Sequence, residues 1–577
     1  MRAVLTRCTS ALRDHPGAAA LAAGYFFLIL GFLLFRDHQA VAVMTDQKYD
    51  DNYFMAQAQL LRDGHWLGAY GPHTLVKAPG YSYFLVLNNL LGTSYTFLIA
   101  VFHLAACAAF TLVLVRTLKV PRVAGFVVFA ALLLQPVSVP VRIYRDALSD
   151  SLLLLTVAGL LALAFGRRDS RWRFLQWAAT GLALGMFWIA REESMWLAPT
   201  VLAALLAAVV GTRRAGRGAA FQLAGAVAVV AVTAAIPTVA TAGINKAQYG
   251  TFVVSDFTRG PFQELVVQLD RIDTVPEIPR IPVPNEALDA AFAASPTFAK
   301  LQEAFASPPV RAWALGECPD VPKACGQIPG SIFSWALRDA AAEADLHTSA
   351  ERADEFYARA AEELAAACGK AYPCRPRPIS AVPALTQASV DALPASVGNS
   401  FLLTLYQGDG AVPAAGPSVD IDGRLATALD FLGQPEHTPT DEQPARDANR
   451  FWKGLDQAQE TAYRVLTPIL MVAGLVSFLG IAFACLFRRR KLPTLLIGAG
   501  VLWIAYGSRV ALIALVDATT FSAIIPQYLQ PAYVLGCAAA SMSVIAAVAH
   551  VRDRRRAQTA ETTETTETTE LVGGPTS

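Results

Sequence analysis

Charge is what this sequence has least of. Asp, Glu, Lys and Arg make up 16% of its 577 residues, against 54% hydrophobic, whereas soluble domains average about 25% charged. That balance excludes a cytosolic enzyme, a secreted domain and a nucleic-acid binder held by bulk positive charge. Nucleotide-binding fingerprints are missing as well: the chain has neither a Walker nor a Rossmann glycine pattern. It has no CxxC pair, so a zinc knuckle has no starting point. The first apolar run lacks the small-residue cleavage site of a removable leader and is too long for one.

What is present is apolar sequence in runs of bilayer-spanning length. A hydrocarbon core about 30 Å thick needs roughly 20 residues of helix. Runs that qualify or nearly qualify are 17–35, 93–115, 123–141, 147–166, 174–190, 194–211 and 218–244, then 465–487, 492–516 and 521–548. The expectation is a multi-pass α-helical membrane protein of about ten transmembrane helices. A mostly helical extracytoplasmic domain is inserted between the seventh and eighth spans. The division expected is a seven-span domain (1–245), the inserted domain (246–460), a three-span domain (461–550) and a disordered cytoplasmic tail (551–577). The tail repeats Glu-Thr-Thr and has almost nothing to bury.

Orientation follows from Lys and Arg in short loops. Six basic clusters lie near residues 2–13, 116–122, 167–173, 213–217, 488–491 and 552–556, and ten spans put all six on one side. Segment 246–460 carries 17 basic and 29 acidic residues, a net of −12. The predicted location is the cell's inner membrane, with both termini cytoplasmic and the middle segment outside. Four of the eight cysteines fall in that segment at close spacings. They read as two short-loop disulfides, Cys318–Cys325 and Cys368–Cys374.

Charged groups gather where the spans meet the outer face. Asp50 and Asp51 follow the first span, in a loop (36–92) long enough to be functional. Lys77 and Tyr81 open an apolar segment further along that loop. Arg142, Arg145, Asp146 and Asp150 stand at the start of the fourth span. Arg191, Glu192 and Glu193 end the fifth, and Arg509 lies inside the ninth. An Arg within a span costs roughly 2.5–3.5 kcal/mol on insertion scales, so it needs a partner or a task. A single boundary residue of this kind is usually a solvated or structural charge; the whole set, at one depth on one side, asks for more. Carboxylates beside cations at headgroup level suit glycosyl transfer from a lipid-linked phosphosugar. A carboxylate takes the acceptor's proton, and Lys or Arg stabilises the departing phosphate.

Four motifs in order carry a resemblance. They are Asp50-Asp51-x-Tyr53 with Gly64-x-Trp66 and Lys77-x-Pro79-Gly80-Tyr81, then Arg145-Asp146, then Asn245 with Tyr249-Gly250-x-Phe252, then Gln527-Tyr528-Leu529-x-Pro531. Together they resemble the GT-C integral-membrane glycosyltransferases, in the aminoarabinose transferase and protein mannosyltransferase-like branch. The match covers the membrane portions and not the middle domain. Gln527 stands where that family usually has Arg, and Arg509 is the candidate substitute. The resemblance implies a polyprenyl-phosphate sugar donor, an extracytoplasmic acceptor (glycan, lipid or protein) and inversion at the anomeric carbon. It implies Asp50 or Asp51 as base, Asp146 assisting, and Lys77 at the donor phosphate. Tyr81, Arg145, Arg191, Glu192, Arg509, Gln527 and Tyr528 complete the expected substrate-binding set. Members differ in their use of a divalent cation, so the metal is undecided, and no other cofactor is implied. Two other classes compete: a transporter or flippase of lipid-linked glycans, and a non-catalytic envelope assembly protein.

Overall fold

The computed structural model describes residues 16–37, 39, 41–46, 49–136, 142–166, 172–213, 216–274, 277–315, 324–376, 385–406, 418–420, 423–434 and 450–572. Among the described residues the secondary structure is helical, with a few isolated β-bridges and no strand. The N-terminal part contributes α1 (Pro16–Asp37), α2 (Asp51–Arg62), α3 (Gly80–Leu91), α4 (Tyr95–Arg116) and α5 (Arg122–Leu133). Then come α6 (Asp146–Phe165), α7 (Arg173–Ala190), α8 (Ala198–Arg213) and α9 (Arg217–Tyr249). The middle segment supplies α10 (Pro261–Asp270), α11 (Asn285–Ala294), α12 (Phe333–Glu343), α13 (Ala350–Ala367), α14 (Gln387–Leu405) and α15 (Leu425–Leu432). Three long helices follow: α16 (Arg450–Phe487), α17 (Thr494–Thr519) and α18 (Pro526–Val572).

Eight helices among the described residues are long and apolar enough to cross a bilayer. The chain is a multi-pass helical membrane protein. Two of the ten expected spans are not in that set. Among its described residues the run 123–141 is helical only as α5, twelve residues or roughly 18 Å. It stops short of Pro136, which disfavours helix in the residue before it. The other is α7, eighteen residues with Gln176 and Thr180 in its first half. Helix α7 packs very closely on α9. A Cβ on Gly181 or Gly185 would lie 2.3 Å from the carbonyl oxygens of Val230 and Ala234, the close approach that small residues four apart permit between membrane helices.

The most buried of the long helices is α6. Below its second turn it is apolar on every side apart from Thr156, as a helix surrounded by others must be. Its N-terminal part meets the C-terminal end of α7 through Asp146 and Arg191 and the start of α18 through Gln527, with Arg509 of α17 alongside. The opposite end carries the basic loops, where His550 lies among Arg488, Arg490 and Arg554. Acidic and basic clusters thus occupy opposite ends of the bundle.

The middle segment has its own core. Amphipathic α13 buries Ala353, Phe356, Tyr357, Ala360, Ala361 and Leu364 on one face, against α10–α12. Its cap is Ser349, which accepts from Arg352 N. The Cys368–Cys374 bridge is present. Cys325 is disulfide-bonded too, and Cys318 lies outside the described residues. Segment 246–460 is nevertheless not one body set apart from the spans. Helix α14 runs down the bundle beside α17, with Ser396 donating to Asp517 Oδ2 at 2.7 Å and Thr404 2.6 Å from the Tyr506 hydroxyl. It buries Ser389, Ser396, Ser400 and Thr404 while Val390, Val397 and Leu402 face outward. Hydroxyls inward and aliphatics outward is the arrangement of a helix facing lipid. The expected disordered tail also begins differently, since α18 continues as helix to Val572. Extending a helix already nucleated by a packed span costs little per residue.

Candidate active site

Loop 36–92 is fastened to the acidic end of the bundle by its own motif residues. Trp66 donates its indole N–H to Asn245 Oδ1 at 2.9 Å, and Tyr249 donates its hydroxyl to Gly68 O at 2.8 Å. The motif in the loop and the motif leaving α9 are therefore two halves of one latch. Gly250 closes α9 at φ +84°, a conformation that strains any side chain. The middle domain grips the loop from above. Arg338, fully buried, donates to Pro72 O at 2.5 Å and Thr74 O at 3.0 Å and pairs with Asp256 at 2.7 Å. Burial pushes the Asp256 carboxyl up to about 6 in spite of that pairing.

Asp50 is the N-cap residue of α2 and Asp51 its first helical residue. Successive side chains on a helix diverge by about 100°, and these two go opposite ways. The Asp51 side chain is 1% exposed, and its Oδ2 accepts from Arg142 Nε at 2.7 Å and Met44 N at 3.2 Å. The Asp50 side chain is 50% exposed and pairs with Lys77 Nζ at 2.5 Å. Lys77 also donates to the Tyr49 carbonyl and lies 5.1 and 5.7 Å from the ring centres of Phe54 and Trp335. Burial raises the Asp51 carboxyl to about 6, with Arg142 opposing. Burial, then the nearby Arg145, draws the Lys77 ammonium below its usual value against the pull of Asp50.

A second row of pairs stands behind the first. Arg145 pairs with Glu192, whose other oxygen accepts the Ala78 N–H at 2.8 Å. Arg191 is held between Asp146 and Glu193, the latter at 2.6 Å. Gln527 Nε2 is 3.5 Å from Asp146 Oδ2, at the limit of a hydrogen bond. One turn along α6, Asp150 is buried, and neither of its oxygens has a hydrogen-bond partner among the described residues. The nearest cation acting on it is Arg509. Arg509 donates twice to the Tyr528 carbonyl, at 2.9 and 2.7 Å, and lies 5.5 Å from the Trp196 ring centre. The Arg inside the span thus has a backbone partner at the start of α18.

The structure brings Asp50, Asp51, Lys77, Arg145, Asp146, Arg191 and Glu192 to one place. Gln527 adjoins them, and Arg509 and Tyr528 lie a turn deeper. Tyr81 does not join them. It is fully buried, donates to the Tyr95 hydroxyl at 3.0 Å and packs between Phe54 and Phe84, so it supports the site from beneath instead of lining it. Arg142 precedes α6 and reaches Asp51 from an irregular segment.

No protein-family model matches this chain, and no curated protein matches it. The motifs and this geometry are the grounds for a functional reading.

Sequence reasoning missed the middle domain's share of the site. Trp335 and Trp313 pack on Tyr49 with ring centres 4.4 and 4.9 Å away, and the Tyr49 hydroxyl donates to Asp339 Oδ2 at 3.3 Å. Nearly three hundred residues separate these partners along the chain, and no local pattern announces such a contact. Among the described residues no group of three or more His, Cys, Asp and Glu side chains is placed to hold a metal ion.

Proposed function

We propose that the protein is an integral-membrane glycosyltransferase. It moves a hexosyl or pentosyl unit from a polyprenyl-phosphate carrier to an acceptor outside the cell's inner membrane, with inversion. The observation that carries this reading is the unequal treatment of two adjacent carboxylates. Asp51 is buried and fixed by Arg142, while Asp50 is half open to solvent and paired with Lys77. Asp50 is the base: it takes the proton of the acceptor hydroxyl as that oxygen bonds to the anomeric carbon. The bond from that carbon to the carrier phosphate breaks, and the phosphate leaves with both bonding electrons. Lys77 meets the charge that develops there. A donor phosphate that engages Lys77 also releases Asp50 from its ion pair, so donor binding uncovers the base. Asp146, locked to Arg191, positions the second row. The basic loops at the far end of the bundle support a cytoplasmic placement of that end and of both termini.

A transporter of lipid-linked glycans would place its polar groups near the bilayer midplane. Here the charged groups of the site cluster at the ends of the spans, with Asp150 and Arg509 further inside α6 and α17 and both buried. The test is transfer by the purified full-length chain in vesicles, given synthetic polyprenyl-phosphate sugars and envelope acceptors. Transfer is expected, with loss in Asp50→Asn. No transfer from any hexosyl or pentosyl donor, with labelled lipid crossing the bilayer instead, would put the transporter in its place.

A further inference from the structure

Beside the Asp50–Lys77 pair the middle domain and loop 36–92 build an aromatic patch that the charged network does not use. Tyr49 is its centre. Its ring centre lies 4.9 Å from Trp313 and 5.2 Å from His73, with Trp335 beneath at 4.4 Å. Asp339 stands among them: Oδ2 accepts from the Trp313 indole N–H at 3.0 Å and the Tyr49 hydroxyl at 3.3 Å. Its Oδ1 lies 3.5 Å from His73 Nε2, without the geometry of a hydrogen bond, since that nitrogen has no partner among the described residues. Trp335 is buried, but Tyr49, His73, Trp313 and Asp339 are each partly open, the His73 and Asp339 side chains by 40% and 22%. Tyr49 adjoins Asp50 in the chain, and Lys77 touches both, donating to the Tyr49 carbonyl and to Asp50. The patch therefore borders the open carboxylate.

We propose that Tyr49, His73, Trp313 and Asp339 form an acceptor subsite, and that the acceptor it takes is a glycan. This rests on the glycosyltransferase reading for the word acceptor, but not for the chemistry of binding. A sugar ring has an apolar face of C–H groups that packs on an indole or phenol, and an edge of hydroxyls that needs acceptors. Half-open rings around a carboxylate present both at once, in the mixture of aromatic surface and few fixed polar groups typical of small-ligand sites. A lipid tail would leave Asp339 unused. A basic peptide would find no free carboxylate there except Asp339 and Asp50, one bonded to aromatic donors and the other to Lys77.

The experiment is saturation-transfer NMR on the full-length protein in detergent, with neutral methyl glycosides of hexoses and pentoses and their disaccharides as probes. A serine- and threonine-containing peptide of similar size is the comparison. Ring protons of at least one glycoside should receive saturation from the wild type. Trp313→Ala should weaken binding about 3- to 10-fold, the scale of one stacking contact. Asp339→Asn, which keeps the packing, should weaken it less. In transfer assays Trp313→Phe should raise the KM for acceptor and leave kcat within about twofold, a split that a merely structural role does not produce. The subsite is overturned if no glycoside is saturated by the wild type, if saturation is the same in Trp313→Ala, or if only the peptide binds. Glycoside binding that depends on Trp313 in a protein that transfers no sugar would keep the subsite and remove the transferase. Transfer without Trp313-dependent binding would do the reverse.

Discussion

Asp50 and Asp51 should respond in opposite ways to the same change, carboxylate to amide. For Asp51 the effect is on folding. Its carboxyl is raised from 3.8 to about 6 because ionising it in a buried place is costly. At about 1.4 kcal/mol per unit, the ionised form takes about 3 kcal/mol from stability at neutral pH. The sign is that of an acid whose folded pKa is raised: the folded state binds the proton more readily than the unfolded chain. Asp51 therefore favours folding most below pH 4, and that contribution is lost as pH climbs to about 6. Asn at this position removes the dependence. The value of about 6 already contains the bond from Arg142, so that figure is net of it. Thermal unfolding of the detergent-solubilised Asp51→Asn chain between pH 4 and 7.5 should show a midpoint near wild type at pH 4, a higher one at pH 7 and a flatter profile than wild type. Transfer should fall modestly. For Asp50 the effect is on chemistry. A half-exposed pair contributes about 0–1 kcal/mol, so Asp50→Asn should unfold like wild type, while transfer drops 10²–10⁴-fold, the usual contribution of a general base. An unchanged pH slope in Asp51→Asn would refute the burial argument, and wild-type transfer by Asp50→Asn would refute the choice of base.

Two further changes probe what holds the site in place. A Cβ on Gly80 would sit 2.5 Å from the Ile189 carbonyl oxygen and 2.8 Å from Ala190 N, both backbone, so Gly80→Ala must push α3 from the end of α7; a loss of about 1–3 kcal/mol in stability and reduced transfer should follow, and wild-type values for both would mean the two helix ends are not rigidly apposed. Arg338→Ala strands Asp256 in a buried place, which typically costs about 3–5 kcal/mol, and frees residues 72–74; the loss should shrink below pH 6, where a protonated Asp256 needs no partner, and a pH-independent loss would contradict that cause.

The spans were legible because a bilayer demands long apolar runs, and eight such helices are present. The two outside that set fall short differently: α5 ends ahead of Pro136, whereas α7 covers its whole expected run and has its hydropathy diluted by Arg173, Gln176 and Thr180. Helix α14 was illegible for a similar reason. Its serines and threonines, with Pro394, dilute the hydropathy that marks a span, and only the structure shows that those hydroxyls face α17. The first row of the site could be read because Asp50, Asp51 and Lys77 sit in one loop. That Asp51 is the buried one could not, since it depends on Arg142 arriving from 91 residues away. The contributions of Trp313, Trp335 and Asp339 lie in a domain with no motif in common with that loop.

Charge arithmetic at the acidic end narrows how an anionic donor can enter. Asp50, Asp51, Asp146, Asp150, Glu192 and Glu193 face Lys77, Arg142, Arg145, Arg191 and Arg509, six acids against five cations. Among these described residues no surplus of positive charge waits for a phosphate, so a donor that binds here must take a cation from an existing pair. Arg191 is sealed between two carboxylates, Arg142 is committed to a buried one, and Arg509 spends its donors on a carbonyl. Lys77 differs in two respects. Its partner is half exposed and is left well solvated when the pair opens, and its flexible point charge, unlike the planar Arg fork, is not locked by bidentate geometry. It is the cation whose release costs least, and the carboxylate it leaves behind is the one positioned to act as base.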